Sequence, residues 1–570
     1  MLEGYFIKKV GNNKGAPRIW LEGSQLAKAG IQAGQRYDVE VRGQTIVLQA
    51  NPDGSRVVSS KKAGEKQNPV IDLNSKELLG VFDGMAAVRV AVKDGEVYIL
   101  PLASELKKRE RLGRLKEKLE RGEPLAVGSL SHGGGILSHA IHSGLARAGI
   151  PSHLAFANEI RGELIDHAMQ VNDVWDANTK PFVAPMQELA FDDKALNHVP
   201  KTEILEMGLP CSGASRAGRS KRQLKAHPEE HPEVGHLVVS ALVILNKAAP
   251  IIVVLENVVE YSTSASASIL RNQLRDMGYV THERVFNGNE WGALENRNRW
   301  CMVAVTEGLN FDFNQLIPPA RTPQTLRDIL DPIPDDHPSW SRMEGLKAKE
   351  IRDKAEGKNY SMQVFAADSE KINTITKGYA KVRSTDPKLA HPTDPDLLRQ
   401  LTVAEHARAK NVPTHLVAGD LSNTEKHEVL GQGIVYSPFL DVGHHVGNTV
   451  NEFAGRNAVP LPNRAADQQD QNPVNDIACE GWPDGIHDMG RQILLTLVRA
   501  DEVKGLYAGS VLGIEAGHVI QDAGRGQGVV HRIDALSEPP RIGEMVKVLY
   551  RDGLGQVTQK RAAPQMTLEM

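Results

Sequence analysis

The sequence predicts an α/β protein of several domains, with one doubly wound domain that carries an insertion and small β-rich segments at both ends. Three observations predict it. From Leu125 to about Val446, apolar strands alternate with stretches of helical spacing, as in a doubly wound α/β domain. Between about Phe311 and Leu398 this periodicity fades while Lys, Pro, Thr and Asp increase, which marks an inserted module. At 570 residues the chain is too long for one ordinary core, so three or four domains are expected.

Bulk composition narrows the class. Hydrophobic residues at 41% and charged residues at 24% describe an ordinary globular protein. The formal net charge is −4, so nucleic-acid binding would have to come from local basic patches. Cys211, Cys301 and Cys479 make no disulfide framework; they suit a reducing cytoplasm and leave a thiol free for chemistry. No Cys/His group has zinc-ligand spacing, so no metal is expected. The start Met-Leu-Glu-Gly-Tyr lacks the basic-then-apolar order of a signal peptide. The apolar region from Leu237 to Val259 is broken by Asn246, Lys247 and Pro250, and reads as a helix followed by a buried strand rather than a membrane span. A cytoplasmic location with no membrane partner is expected.

Residues 1–100 contain a weak internal repeat. Arg18-Ile-Trp-Leu-Glu22, Leu26, Tyr37-Asp-Val-Glu-Val41 and Ile46-Val-Leu48 are echoed by Val70-Ile-Asp-Leu73, Leu78, Val88-Arg-Val-Ala-Val92 and Val97-Tyr-Ile-Leu100. Each unit is a strand, a helical turn and a hairpin-like pair of alternating strands. The first copy resembles the swapped-hairpin modules of AbrB and SymE-type proteins, which interleave two copies, so a tandem pair could close on itself or dimerise. Two unrelated small β units are the alternative. Residues 101–123 form a charged helical connector whose mixed-sign run reads as a solvated helix face.

The chemistry gathers at Gly208-Leu-Pro-Cys-Ser-Gly-Ala-Ser215 and Leu255-Glu-Asn-Val258. Cys211 is the cysteine preceded by Pro and followed by small residues, which suits an exposed nucleophile loop. Glu256 follows the apolar run Ile251-Ile-Val-Val-Leu255, whose surroundings disfavour the ionised carboxylate and raise its pKa. A thiol beside a proton-holding carboxyl suits attack on an electron-poor heterocycle, and cytosine is such a ring. Upstream, Ala126-Val-Gly-Ser-Leu-Ser-His-Gly-Gly-Gly135 is an apolar strand running into a glycine turn, where a cofactor can approach the backbone closely. Leu154-Ala-Phe-Ala-Asn-Glu-Ile160 is a second strand ending in an acid, the usual holder of ribose hydroxyls; a helix N-terminal charge is the plainer reading of Glu159.

Taken in order, these motifs resemble the DNA cytosine carbon-5 methyltransferases over roughly residues 125–446. Leu130-Ser-His-Gly-Gly-Gly135 resembles the family's S-adenosylmethionine loop, although His132 stands where a glycine is usual, and Asn158-Glu-Ile160 resembles its second motif. Trp291-Gly-Ala-Leu-Glu-Asn-Arg-Asn-Arg299 resembles the motif with two arginines, with Glu295 in place of the usual Gln. Arg399-Gln-Leu-Thr-Val-Ala-Glu-His-Ala-Arg408 and Gly431-Gln-Gly-Ile-Val-Tyr-Ser-Pro438 resemble the ninth and tenth motifs. The resemblance implies a Rossmann-like methyltransferase domain (124–310 and 399–455), with Cys211, Glu256, Arg297 and Arg299 as catalytic residues. It also implies S-adenosylmethionine as cofactor, held by Leu130, Ser131, Gly133, Gly134, Gly135, Glu159, Ile160 and Pro210. Residues 311–398 occupy the place of the target-recognition domain.

Double-stranded DNA is the partner this reading requires, met by a monomer. Arg216, Arg219, Lys221 and Arg222 follow the nucleophile and would hold phosphates. Lys377-Gly-Tyr-Ala-Lys-Val-Arg383 is the DNA-facing segment expected of the insertion, through Lys377, Lys381 and Arg383. Residues 456–499 read as a linker and 500–560 as a small barrel resembling KfrB-like domains of plasmid and integrative-element proteins; His518 and His531 within it read as structural. The expected activity is that of a solitary or restriction-modification methylase. A DNA-binding regulator that keeps the methylase fold is the alternative from another class, and a transfer-RNA methylase of the same fold is a third reading.

Overall fold

The computed structural model describes residues 1–13, 15–63, 66–210, 228–320, 323–358, 361–460, 496–500, 502, 505–515, 517–522, 527–551 and 553–559. The chain divides into two compact units. One comprises Met1–Gly122 with Ile269–Thr281 and Ala304–Gly308; the other holds Glu123–Ser268, His282–Val303 and Leu309–Met570.

In the first unit, the two halves of the internal repeat build one core. The hairpin Arg36–Arg42/Thr45–Ala50 joins the hairpin Ala87–Lys93/Glu96–Pro101 edge to edge, with Val97 opposite Leu48 and Ile99 opposite Ile46. The lead strands Ala16–Glu22 and Lys66–Leu73 pair antiparallel in a second sheet, with Ile19 opposite Leu73. Leu21, Leu26 and Leu48 from the first half bury against Ile71, Leu79, Val90 and Ile99 from the second. The two halves therefore share one core.

The charged connector forms the helix Ala103–Arg121, closed by Gly122 in the left-handed conformation. Its expected solvated character fails at Arg111, which is fully buried. The Arg111 guanidinium donates to Thr306 Oγ1 (2.9 Å) and to the Met277 carbonyl (2.9 Å), and stacks 4.1 Å from the Tyr279 ring centre. A planar cation can be buried in this way when part of its donor set is matched and its face is covered by an aromatic ring. Sequence charge alone cannot reveal such a site, because the partners lie more than 160 residues away.

The second unit holds the doubly wound sheet apart from Tyr279–Thr281 and Ala304–Thr306, which belong to the first. Its strands are β1 (Leu125–Leu130), β2 (Ser152–Glu159), β3 (Lys180–Val183), β4 (Ile204–Met207), β5 (Ile252–Asn257), β6 (Tyr279–Asn287) and β7 (Asn298–Thr306). Their spatial order is β3-β2-β1-β4-β5-β7-β6, and the pairings from β3 to β5 are all parallel. Strand order therefore reverses direction between β1 and β4. Every residue of β1, β4 and β5 is buried, as a sheet covered on both faces requires. The apolar region from Leu237 folds as expected into a helix, Leu237–Ala248, that stops at left-handed Ala249 before Pro250 and returns as β5.

The inserted region has sparse regular structure: the helix Glu344–Ala355 and strands of two or three residues. Leu326, Ile329, Ile372, Ile375, Tyr379 and Leu389 form a small core together with Leu294, Leu401 and Ala409. The C-terminal module is a six-stranded sheet with its own core, including Val511, Val529, Val548 and Tyr550. It begins earlier than expected: Thr496–Arg499, inside the stretch read as linker, pairs parallel with Gln527–Arg532. His531 is buried between Tyr550 Oη and Gln521 Oε1, each at 3.0 Å, and burial pushes its pKa down to about 4. Among the described residues no helix is long and apolar enough to cross a membrane.

Candidate active site

Because β2, β1, β4 and β5 run parallel, their carboxyl ends lie on one edge, flanking the reversal of strand order. Doubly wound sheets bind ligands at that place. Here β1 delivers the glycine loop, β2 delivers Glu159, β4 delivers Gly208-Leu-Pro210 and β5 delivers Glu256. Four separate sequence motifs thus meet at one crevice for a topological reason.

The glycine loop is braced from below. Ser131, Gly133 and Gly135 have φ of 55°, 56° and 76°, a conformation that favours glycine at the last two. The Gly133 N–H donates to Glu159 Oε2 at 2.9 Å. Glu159 Oε1 also accepts from the Ile160 and Arg161 amides at 2.9 and 3.1 Å. Glu159 thus joins the glycine loop while capping the turn into the helix Gly162–Val171, as the plainer reading of a helix N-terminal charge expects. Ile160 is 64% exposed beside it, an apolar surface at the crevice rim. Leu130 is fully buried in the sheet, so only its backbone can face a ligand; its carbonyl accepts from Gly208 N–H at 3.2 Å.

His132, the departure from the expected glycine, points into the protein. Its Nδ1 lies 2.8 Å from Ser129 Oγ, and its Nε2 accepts from Trp175 Nε1 at 3.2 Å. Burial pushes its pKa down to about 3, so the ring is neutral. Asn172 Nδ2 adds a bond to the Gly135 carbonyl at 3.0 Å. Asn172 and Trp175 lie in a connection that sequence patterning does not single out.

At the chemical end, Glu256 is buried and its Oε1 lies 2.7 Å from Arg299 Nε. Burial raises its pKa; Arg299, Arg297 and Lys410 oppose that rise without cancelling it. A Cβ added to Gly208 would sit 3.8 Å from Glu256 Oε2 and 3.9 Å from the Ser131 carbonyl, so the start of the Pro-Cys segment faces both the carboxyl and the cofactor loop. Asn257 Nδ2 donates to the Leu209 carbonyl at 3.0 Å and orients that segment. Pro210 is the last described residue before the loop. Cys211, Arg216, Arg219, Lys221 and Arg222 lie outside the described residues.

The two arginines part company. Arg299 meets Glu256, whereas the Arg297 guanidinium is buried and donates to the carbonyls of Gly431 (2.8 Å) and Ile375 (3.2 Å). Two arginines one residue apart on a strand would share one face, but residue 297 lies between the short strand Glu295–Asn296 and β7. Glu295 accepts from Ile375 N–H at 2.7 Å and pairs with Lys410 Nζ at 3.4 Å. Burial pushes Lys410 down to about 7, and its ammonium donates to the carbonyls of Leu430 and Gly433. This buried charge cluster joins the inserted segment at Ile375, the segment around Gly431 and the arginine strand. Lys377, Lys381 and Arg383 are exposed around the buried Tyr379.

Sequence reasoning missed Glu206. It sits in wholly buried β4, with Oε1 4.0 Å from His132 Nδ1, and burial pushes its pKa up to about 8 against the opposing influence of Ser129 and Ser138. The available signal was one acid inside an otherwise apolar strand, Ile204-Leu-Glu-Met207.

Comparison with known proteins agrees with this arrangement. Residues 130–436 match the family model for C-5 cytosine-specific DNA methylase, and residues 506–559 match the KfrB domain. The Type II methyltransferase M1.ScrFI of Lactococcus lactis subsp. cremoris is 24% identical over 246 residues, 41% of this chain and 60% of that protein. The Type II methyltransferase M.SsoII of Shigella sonnei is 24% identical over 263 residues, 44% of this chain and 66% of that protein. The chain thus spans less than two thirds of the length of either. Among solved structures, the S. pombe Dnmt2 methyltransferase is 19% identical, with a TM-score of 0.45 over 58% of this chain and 99% of that one. Since the first of these matches runs from the glycine loop through the arginine strand to Tyr436, more than half of the sequence, the chain belongs to the C-5 cytosine-specific DNA methylase family.

Proposed function

We propose that the protein is a DNA (cytosine-5-)-methyltransferase that acts on a specific duplex sequence through a covalent adduct on Cys211. The observation that carries this reading is Glu256: a buried carboxyl with a raised pKa, held by Arg299 and facing Gly208, three residues before Cys211 in the sequence. The residues at the crevice suit S-adenosylmethionine. Gly133 has open space where a side chain would lie, Ile160 offers an apolar surface and Glu159 retains lone pairs for ribose hydroxyls. Those residues, with the backbone of Leu130, Ser131, Gly134, Gly135 and Pro210, would hold the cofactor, which when bound supplies an electrophilic methyl group.

The target base must leave the duplex, at a cost of a few kcal/mol. Exposed Lys377, Lys381 and Arg383, with Arg216, Arg219, Lys221 and Arg222, supply the positive charge that holds the DNA backbone. The Cys211 thiolate adds to carbon 6 of cytosine, and the displaced electron pair collects at ring nitrogen 3. The Glu256 carboxyl places its proton there, leaving carbon 5 enamine-like and nucleophilic. Arg299 fixes the carboxyl, and Arg297 positions that strand. Once carbon 5 carries the methyl group, loss of its remaining proton to solvent water forms the carbon 5–carbon 6 double bond and expels the Cys211 sulfur as thiolate. Return of the nitrogen-3 proton to Glu256 restores the ring.

The matched KfrB segment supports placement on a mobile element, where methylation would shield DNA from restriction. The shared core of residues 1–100 supports a tandem module of the AbrB/SymE kind. Bisulfite sequencing of DNA from cells expressing the wild type or Cys211→Ala tests the activity. New methylcytosine in a fixed sequence context is expected only with the wild type; its absence in all contexts would refute the enzyme reading.

A further inference from the structure

Outside the crevice, three side chains from distant segments converge. His139 lies on the helix that follows the glycine loop (Ile136–Arg147), Asp173 follows the helix Gly162–Val171, and His415 lies in the short helix Thr414–Val417. One ligand atom from each lies within 4.8 Å of the others. Sequence spacing gives no sign of this, because the three residues fall in no short motif.

The buried histidine is oriented as a metal ligand would be. The Tyr436 hydroxyl lies 2.6 Å from His139 Nδ1 and 3.1 Å from Ser143 Oγ, so it can accept from His139 Nδ1–H while donating to Ser143. That tautomer leaves the Nε2 lone pair facing Asp173 Oδ1 at 3.2 Å. Two acceptors at this separation repel unless a cation or a proton lies between them. Bonds of about 2.0–2.2 Å from one zinc ion to a nitrogen and an oxygen, at a tetrahedral angle, set those atoms about 3.3 Å apart. The His415 ring adds a second imidazole, its centre 5.3 Å from that of His139. A fixed tautomer with the far nitrogen hydrogen-bonded is the usual outer support of a metal-ligating histidine.

We propose that His139, Asp173 and His415 form a three-ligand site for a borderline divalent transition ion such as Zn²⁺, with a position left for water. The site adjoins the cofactor loop. Asp173 stands between Asn172 and Trp175, which bond Gly135 and His132, so an ion there braces the glycine turn from behind. Two imidazoles and one carboxylate favour Zn²⁺ or Co²⁺ over Mg²⁺ or Ca²⁺.

Tag-free protein titrated with Co²⁺, without DNA or S-adenosylmethionine, tests this independently of the methylation reading. One equivalent giving a tetrahedral-type visible spectrum is expected, displaced by Zn²⁺ and not by Mg²⁺. Asp173→Asn and His415→Ala, both at exposed positions, should each weaken binding by at least about tenfold, the lower end of what even outer-shell partners contribute. Hydrogen exchange of residues 131–135 and 172–175 should slow on metal addition. Absence of stoichiometric binding by folded wild type, or equal binding by both variants, would overturn the proposal and leave a proton-bridged His139–Asp173 pair.

Discussion

Glu256 is the residue on which the proposed chemistry turns. Glu256→Gln keeps the shape and removes the titratable proton; methylation should fall by about 10²–10⁴-fold with DNA binding retained. Single-turnover kinetics beside a gel-shift measurement check this, and an unchanged rate would remove Glu256 from the mechanism. The raised pKa sets the sign of the pH dependence. The proton on Glu256 is present below that pKa, so its contribution should fade as pH rises through it. Glu206 should write its signature on stability instead. Its pKa lies near 8 in the folded protein against an ordinary 4.5, so the unfolded chain ionises first. Its neutral burial is fully favourable below about 4.5, and that benefit is lost as pH rises toward 8. Thermal unfolding of Glu206→Gln should therefore depend less on pH across this window than the wild type; parallel profiles would contradict it. Glu256 was legible because an apolar run ends in it. Glu206 was not, because an acid inside a strand has no distinguishing spacing.

Between elements, close approach decides what is tolerated. The helices Ile136–Arg147 and Tyr436–Phe453 cross where Gly144 faces the Leu440 carbonyl and Gly443 faces the Ile141 backbone. Gly144→Ala has no room for its methyl group and should cost about 1–3 kcal/mol, read from the denaturant midpoint. An unchanged midpoint would mean that the helices separate freely. The Glu295–Lys410–Arg297 cluster makes a related prediction. Glu295→Ala leaves two buried cations together and should cost about 3–5 kcal/mol. The strand and helix alternation behind these crossings was legible from periodicity. The divergence of Arg297 from Arg299 was not, because it depends on where one short strand ends and the next begins.

On the scale of the whole molecule, the order of motifs fixed the catalytic domain before any geometry, since parallel strands place their carboxyl ends together. The attachment of Ile269–Thr281 and Ala304–Gly308 to the N-terminal unit was hidden, because it runs through side-chain bonds of one helix, from Arg111 to Met277 and Thr306 and from Lys108 to Glu307. Two truncations separate these contributions. Removing residues 1–100 deletes a self-contained core and retains the Ala103–Arg121 helix, whereas removing residues 1–122 also deletes Arg111 and its bonds to Thr306 and Met277. The longer deletion should lower the unfolding temperature further; equal values would mean that Arg111 contributes nothing. The central claim, a cytosine held covalently on Cys211, is tested most directly by trapping. With S-adenosylmethionine and a random-sequence duplex library containing 5-fluorocytosine, the wild type should form a denaturation-resistant protein–DNA complex and Cys211→Ala none. A complex of equal yield with Cys211→Ala, or none with the wild type, would contradict the account.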